Sequence, residues 1–204
     1  TGNEMQPEDL AMIFLELQAR GCHNINLVSP THIVPQILAA ILIAVQAGMH
    51  IPIVYNTGGY DSLTTLRLLD GVVDIYMPDM KYASAQIALH YSRARDYPQI
   101  NQAAVREMHR QVGDLQVDER GIAQRGLLVR HLVLPGGLSG SARVVDFLAQ
   151  EISKDTYLNL MDQYHPAYLA GSYPPLNRRI TARELEKARQ AAYAAGLTRL
   201  DGVS

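Results

Sequence analysis

NINLVSPTH, residues 24–32, is a short apolar run that closes on polar groups. The same pattern recurs in IPIVYNTGG (51–59), VDIYMPDMK (73–81), LLVRHLVLPGG (127–137) and LNLMDQYHP (158–166). Helical patterns separate the five stretches, which predicts parallel β-strands joined by helices. The carboxyl ends of such strands meet at one side of an α/β fold, the side that holds its functional groups. We therefore expect one shared site there.

The composition favours a single globular domain over residues 1–204, because 48% of the 204 residues are hydrophobic. The formal net charge is -2 and the basic residues are scattered, so no nucleic-acid partner is expected. The apolar stretch 37–45 is too short to span a bilayer, and the first residues show no signal-peptide pattern. The sequence therefore predicts no membrane association and a cytoplasmic location.

The predicted elements begin with a helix and then alternate between strand and helix. Helices are expected at 7–20, 35–47, 62–69, 84–94, 98–111, 139–151 and 182–195, and strands at 25–28, 51–55, 73–77, 127–134 and 156–161. A hairpin or loop excursion is expected at 115–125 and a long loop at 162–180. Polar groups follow all five strands, which favours a barrel or partial barrel over an open sheet with one switch point. The opening helix suggests that a first strand and its loop are missing from this sequence.

The five strand-end motifs, in this order and spacing, resemble those of uncharacterised radical SAM proteins related to pyruvate formate-lyase activating enzyme. The resemblance implies an α/β fold, a partial (β/α)6 barrel with parallel strands. It implies a 4Fe-4S cluster held by three cysteines, usually CxxxCxxC, after the first strand, with S-adenosylmethionine (SAM) bound to it. Such a radical SAM oxidoreductase cleaves SAM to a 5′-deoxyadenosyl radical. The implied partners are a glycyl-radical enzyme and a flavodoxin-like or ferredoxin-like electron donor.

The chain departs from that family in its cysteines. It contains no CxxxCxxC, and Cys22 is its one cysteine. Cys22 precedes a predicted strand, so we expect a buried, structural side chain at the end of the barrel away from the site. The cluster cysteines are then expected upstream of Thr1. Alone, this chain would carry only the SAM-binding side and should be inactive.

The residues after the first predicted strand stand where the related enzymes hold the methionyl end of SAM. The resemblance assigns cofactor binding to Ser29, Thr31 and His32, although the family's glycine-glycine-glutamate turn is absent here. The Thr31 hydroxyl or the His32 imidazole would replace the glutamate contact. The alternative is that Ser29 and Thr31 cap the next helix and that His32 is an ordinary loop residue.

The next two strand ends also match family motifs. Asn56 and Thr57 would offer oxygen atoms to SAM or to a cation, or they would form a simple turn and helix cap. Asp79 and Lys81 match the family's Asp-x-Lys strand end, where they would contact the cofactor. Their spacing of two predicts the same face of the strand and an ion pair, whose alternative role is purely structural. Pro78 predicts the end of a strand, not its middle.

The last two motifs add an arginine and a histidine. Arg130 lies in an apolar strand and needs a partner, so we expect it to face the barrel interior and contact SAM, as the resemblance implies. His131 would point the other way and be structural. His165 resembles a histidine near the cofactor and substrate; the alternative is a hydrogen-bonded loop residue.

Two other functions remain open at this point. The first is a barrel lyase or aldolase in which Lys81 forms a Schiff base while Asp79 and His165 transfer protons. The second is a degenerate barrel that binds SAM or a protein without catalysis. Borohydride trapping on Lys81 would favour the lyase, whereas SAM affinity in an iron-free protein would favour the binding barrel.

Overall fold

The structure, a computed structural model, describes residues 4–201. The helices are α1 Pro7–Ala19, α2 Val34–Gln46, α3 Leu63–Leu68, α4 Ala85–Ser92, α5 Tyr97–Val112, α6 Ser141–Phe147 and α7 Ala182–Ala195. The strands are β1 Ile25–Val28, β2 Ile53–Thr57, β3 Ile75–Met80, β4 Gln116–Val117, β5 Ala123–Leu132, β6 Tyr157–Met161 and β7 Leu200–Asp201.

Six strands form a parallel sheet in the order β1-β2-β3-β5-β6-β7, and β4 pairs antiparallel with the start of β5 as a hairpin. Each strand of the path neighbours the next one along the chain, without the reversal that marks a doubly wound sheet. This confirms the predicted α/β class with parallel strands. Within residues 4–201, β1 and β7 do not pair with each other, so the described wall of strands is open.

Several elements differ from the sequence-based expectation. A sixth parallel strand, β7, pairs with β6 and was not predicted, and β5 starts four residues earlier than expected because its first residues form the hairpin. Pro78 lies inside β3, not at its end, so that prediction was wrong. The β3–β5 register breaks off after Tyr76 and resumes at Asp79. Since proline has no N–H to donate, this interruption accommodates it within the strand.

Local signals explain where the outer helices begin and end. In α1, Pro7 occupies the first turn and the Gln6 N–H donates to the Asp9 carboxylate at 3.1 Å. In α7, Thr181 and Glu184 form a capping box, and Gly196 ends the helix in the left-handed conformation. These two helices were predicted to within one residue.

The sheet carries two apolar layers, one on each face. The larger lies between the sheet and the helices and includes Tyr55, Tyr76 and Leu127. The smaller is built on Val54 and Ile75, with Leu115 from the segment before β4. We call the face of the sheet that carries this smaller layer the inner face. Because side chains alternate along a strand, a residue two positions after a member of the smaller layer also points to the inner face. The candidate site lies there, at the carboxyl ends of the strands.

Candidate functional site

A carboxylate between two cations occupies the carboxyl ends of three neighbouring strands. Asp79 Oδ2 lies 2.9 Å from Lys81 Nζ, and Asp79 Oδ1 lies 2.6 Å from Arg130 Nη2. Arg130 Nη2 also donates a 2.8 Å hydrogen bond to Asn56 Oδ1. We call Asn56, Asp79, Lys81 and Arg130 the Asp79 cluster. It contains the expected Asp79–Lys81 ion pair and brings together residues from β2, β3 and β5.

Strand register explains how these residues meet. Asp79 is paired with Arg130 across the β3–β5 ladder, and Asn56 lies on β2, on the other side of β3. Val54 and Leu128, each two residues earlier on its strand, belong to the inner apolar layer. Because side chains alternate, the Asp79 cluster lies on the same face of the sheet as this apolar layer and next to it. This is the inward orientation that was predicted for Arg130.

The Asp79 cluster retains unused capacity for a ligand. Its two cations exceed its one carboxylate, and the Arg130–Asp79 contact lacks the alignment of a hydrogen bond. Arg130 Nε is buried without a hydrogen-bond partner among the described residues. The Lys81 and Arg130 side chains are 36% and 25% exposed, so the cluster is reachable from solvent. A buried guanidinium N–H without a partner is costly, which makes an incoming anionic or polar group favourable here.

Helix α5 braces this cluster from outside the sheet. Asn101 Nδ2 donates to the Asp79 and Gly59 carbonyls, both at 2.9 Å. The Tyr97 hydroxyl lies 3.0 Å from the Gly58 carbonyl and accepts from the Lys81 N–H at 3.1 Å. Burial raises the pKa of the Tyr97 phenol, so it stays a neutral donor. Tyr97 and Asn101 were not predicted from sequence, and they fix the backbone on either side of Asp79.

The two glycines after β2 have different neighbours. Gly59 has φ +75, and a Cβ there would run into the Asp79 carbonyl and the Asn101 amide. A Cβ at Gly58 would lie 3.6 Å from Lys81 Nζ, an ordinary contact. A glycine pair after a strand often admits a ligand close to the backbone, but the close approach at Gly59 is to the protein's own backbone. Only Gly58 borders a charged side-chain group of the Asp79 cluster, the Lys81 ammonium.

A second carboxylate, Asp61, gathers the threonines that were predicted to face the cofactor. It is 2% exposed and accepts from the hydroxyls of Thr31 at 2.9 Å, Thr57 at 2.7 Å and Tyr55 at 3.2 Å. Burial raises the pKa of Tyr55 and keeps it a neutral donor. Asp61 was not singled out in the sequence, although only Tyr60 separates it from the glycines of the predicted turn. The threonine hydroxyls are thus engaged with Asp61.

Ser29 and His32 flank Thr31 on the surface. Ser29 is exposed with φ 53, and its backbone N–H donates to the Asn56 carbonyl at 2.8 Å. Neither Ser29 nor Thr31 caps α2, which begins at Val34 without a side-chain cap. His32 is exposed, and the described residues include no hydrogen-bond partner for its ring. Ser29 is therefore tied to the end of β2 through its backbone.

His131 is structural, as alternation predicts. It is fully buried, with Nδ1 2.6 Å from the Met80 carbonyl and Nε2 2.9 Å from the Ser141 hydroxyl. A carbonyl only accepts, so Nδ1 carries the proton and Nε2 accepts from Ser141. Burial lowers the pKa of His131 to about 4, against the raising effect of the Met80 hydrogen bond. A neutral imidazole thus holds the backbone next to Asp79.

His165 stands apart from the Asp79 cluster. It is exposed, and its ring has one long contact, Nδ1 to the Gln163 carbonyl at 3.5 Å. No hydrogen bond or ion pair joins it to Asp79, Lys81 or Arg130 among the described residues. It lines a cavity beside α4 instead. Of the nine residues predicted to bind the cofactor, four form the cluster, two bond to Asp61, and Ser29, His32 and His165 lie outside both groups.

No set of three His, Cys, Asp or Glu side chains positioned to hold a metal ion occurs within residues 4–201. Cys22 is half-buried, less enclosed than expected, and lies before β1, at the end of the sheet away from the Asp79 cluster. A single thiolate there does not fit a 4Fe-4S cluster, which needs several cysteine ligands. In the same range, no helix has the length and apolar content to cross a membrane.

Comparison with known proteins supports the fold. No protein-family model matches the chain. An uncharacterised protein of Methanocaldococcus jannaschii is 31% identical over 172 residues, which cover 83% of this chain and 46% of that protein. The chain thus spans about half the length of this curated relative. The crystal structure of a domain of pyruvate-formate lyase-activating enzyme from Bacteroides vulgatus matches with a TM-score of 0.59 at 11% identity, covering 88% of this chain and 98% of that one. The chain therefore shares the fold of that activating-enzyme domain.

Proposed function

We propose that this chain is the SAM-binding part of a radical SAM oxidoreductase, with residues 1–204 as one barrel domain. The observation that carries the proposal is the Asp79 cluster: one carboxylate between Lys81 and Arg130, with the Arg130 Nε buried and unpartnered among the described residues. The fold shared with an activating-enzyme domain and the strand-end motifs support the same function.

The cluster suits the methionyl end of SAM, which carries a carboxylate, an ammonium and a sulfonium. Lys81 and Arg130 would bind the carboxylate, since charge-assisted hydrogen bonds to a guanidinium are among the strongest available. Asp79 and the Asn56 amide oxygen would face the positive groups. When bound and reduced, SAM supplies a carbon-centred radical that abstracts hydrogen. The chain's own contribution is to bind and orient the cofactor.

A 4Fe-4S cluster does not fit the described residues. The cluster cysteines of the proposed enzyme would therefore have to come from residues outside this chain. Likeness to an activating-enzyme domain extends the proposal to a glycyl-radical enzyme as partner and a flavodoxin-like or ferredoxin-like electron donor. A cytoplasmic location stays a prediction.

The Schiff-base alternative is less well supported by the geometry. A nucleophilic lysine must have its amine free to attack a carbonyl, but Lys81 Nζ is held in a 2.9 Å ion pair with the Asp79 carboxylate. His165, the assigned proton-transfer group, makes no contact with Lys81 or Asp79 among the described residues. We therefore place the non-catalytic SAM-binding barrel ahead of the lyase as the second candidate, because it needs only the Asp79 cluster.

Calorimetric titration of SAM tests the proposal. Arg130→Met should lower the affinity about ten- to a hundred-fold, because a hydrogen bond to a charged group contributes about 1.5–3 kcal/mol. The matched control is Arg120→Met, which removes an arginine paired with Asp118 in the β4–β5 hairpin and should leave the affinity unchanged. Unaltered SAM affinity in Arg130→Met, or no SAM binding by the wild type, would refute the site.

Iron reconstitution separates the two leading functions. The longest natural polypeptide that contains this chain should bind four irons per protein under anaerobic conditions and cleave SAM when reduced. SAM binding without iron would leave the non-catalytic barrel. A borohydride-stable adduct on Lys81 with SAM binding absent would instead establish the lyase.

A further inference from the structure

A cavity of about 420 Å³ opens between the end of α4 and the loop that follows β6. We call it the tyrosine–histidine pocket; the side chains that matter are His90, Tyr91, Arg93, Tyr164, His165 and Tyr173. Both segments follow the carboxyl ends of parallel strands, β3 and β6, so the pocket opens on the same side of the sheet as the Asp79 cluster. None of the four cluster residues lines it.

The aromatic walls of the pocket are held in place by their neighbours. The Tyr173 ring meets His90 at 5.9 Å and Tyr91 at 6.2 Å, both nearly perpendicular. The Tyr164 hydroxyl donates to the Leu176 carbonyl at 2.7 Å. Edge-to-face contacts of this kind fix ring orientation. The long loop after β6 therefore packs against α4, and its tyrosine rings line the cavity in fixed orientations.

The charge of the pocket is positive. Arg93 lines it and makes no ion pair within residues 4–201, and no aspartate or glutamate is among the lining residues there. Arg93 ends α4 with φ 58, a conformation uncommon for residues other than glycine, and its N–H donates to the Leu89 carbonyl at 3.1 Å. This backbone turn places an arginine with no carboxylate partner beside two histidines. Such a surface attracts anions.

We propose that the tyrosine–histidine pocket binds a small planar anion, an aromatic ring that carries a carboxylate or phosphate group. The Arg93 guanidinium pairs with the anionic group, because its flat fork matches carboxylate and phosphate oxygens. The tyrosine and histidine rings pack on the planar body. A volume of about 420 Å³ falls in the range of small-molecule sites. Arg93 disfavours the alternative of an aromatic cage for a cation.

A chain of contacts leads from the pocket to the Asp79 cluster. The Tyr82 hydroxyl lies 2.9 Å from Ser92 Oγ on α4, and the Tyr82 ring packs edge-on against Tyr97 at 5.8 Å. Tyr97 in turn contacts the Asp79 carbonyl at 3.2 Å. If the proposed function holds, the bound anion is the substrate of the enzyme. Binding of the anion does not depend on it.

Calorimetry with naphthalene-2-carboxylate tests the proposal, with phenyl phosphate to compare the two anionic groups. Saturable one-to-one binding of at least one is expected, with a loss of about ten-fold or more in Arg93→Asn. Asparagine is used because it tolerates the left-handed backbone at this position. The control is Arg95→Asn, two residues on and outside the lining, which should bind like the wild type. Tyr173→Leu should also weaken binding.

The pocket assignment would be overturned by no saturable binding of either anion, by equal binding to Arg93→Asn and the wild type, or by tighter binding of tetramethylammonium than of both anions. Tighter binding of an acidic peptide than of both aryl anions would likewise replace the small-molecule proposal. SAM titrations on the same proteins separate the two proposals. SAM binding without aryl-anion binding refutes only the pocket, and the reverse refutes only the proposed function.

Discussion

Asp61 and Asp79 are both buried near strand ends, yet their surroundings differ in kind. Asp61, 2% exposed, accepts from three hydroxyls and contacts no cation in the described part of the chain. Asp79, 8% exposed, faces Lys81 and Arg130, whose side chains reach solvent. The hydroxyls satisfy the Asp61 oxygens through hydrogen bonds alone, whereas two cations around one carboxylate leave the Asp79 cluster with excess positive charge. Asp61 is therefore expected to act on stability and Asp79 on ligand binding.

The largest effect is expected at Asp61. Asp61→Ala should lower the free energy of unfolding by about 4 kcal/mol, because it removes the acceptor of the buried Thr57 hydroxyl and leaves the buried Tyr55 hydroxyl only the long 3.5 Å contact with Thr31, at about 1–3 kcal/mol each, with a smaller loss at Thr31. Urea denaturation gives the value. Asp61→Asn, which keeps one acceptor oxygen, should lose less. A larger loss in Asp79→Ala than in Asp61→Ala would reverse the comparison.

A pH-dependent effect should follow from His131, which holds the backbone beside Asp79. Its pKa in the folded state is about 4, below the usual 6.5, so folding favours the neutral ring. Its contribution to stability is complete above pH 6.5 and is lost as the pH falls from 6.5 to 4, where the unfolded chain binds the proton. The loss is up to about 3 kcal/mol.

His131→Asn isolates that contribution, because an asparagine amide can still donate to the Met80 carbonyl but does not titrate. The difference in unfolding free energy between wild type and variant should shrink with falling pH between 6.5 and 4. A difference that stays constant over this window would show that His131 does not titrate with folding. Carboxylates common to both proteins cancel in the comparison.

The smallest effect is expected from Tyr97, whose hydroxyl holds the backbone next to Asp79. Tyr97→Phe should cost about 1 kcal/mol of unfolding free energy, since it removes the hydroxyl between the Gly58 carbonyl and the Lys81 N–H. Tyr60→Phe is the matched control: the Tyr60 ring stacks on Tyr97, but its hydroxyl bonds to Asp96 on the surface, so stability should change little. Equal losses in both variants would show that the brace contributes nothing specific.

The sequence predicted the class of fold well because its signals are local. Alternating strand and helix patterns, the start at Pro7 and the stop at Gly196 lie within single elements. Strand β7 was missed because two residues cannot show alternation, and Pro78 was misplaced because a proline signals a strand end unless the neighbouring ladder is interrupted. Neither the short strand β7 nor the interrupted ladder at Pro78 produces a recognisable pattern in the nearby sequence.

The Asp79 cluster could also be predicted from local sequence signals. The contacts from helix α5 that hold its backbone could not. Spacing of two put Asp79 and Lys81 on one face, and an arginine in an apolar strand had to find a partner. Asn101 reaches the Asp79 carbonyl across 22 positions. Which face of α5 meets which loop depends on packing between distant segments, which no short pattern encodes. The hydrogen bonds of Thr31 and Thr57 to Asp61 likewise depend on packing between segments and could not be predicted from a short pattern.

The position of Cys22 has a practical consequence. It is the one cysteine among 204 residues, half-buried before β1, while the candidate ligand sites lie at the opposite ends of the strands. A maleimide reagent would therefore attach a fluorophore, spin label or surface tether at a unique point. A chain immobilised through Cys22 would present its strand ends to solution, so binding of SAM or aryl anions could be followed without the attachment covering either site.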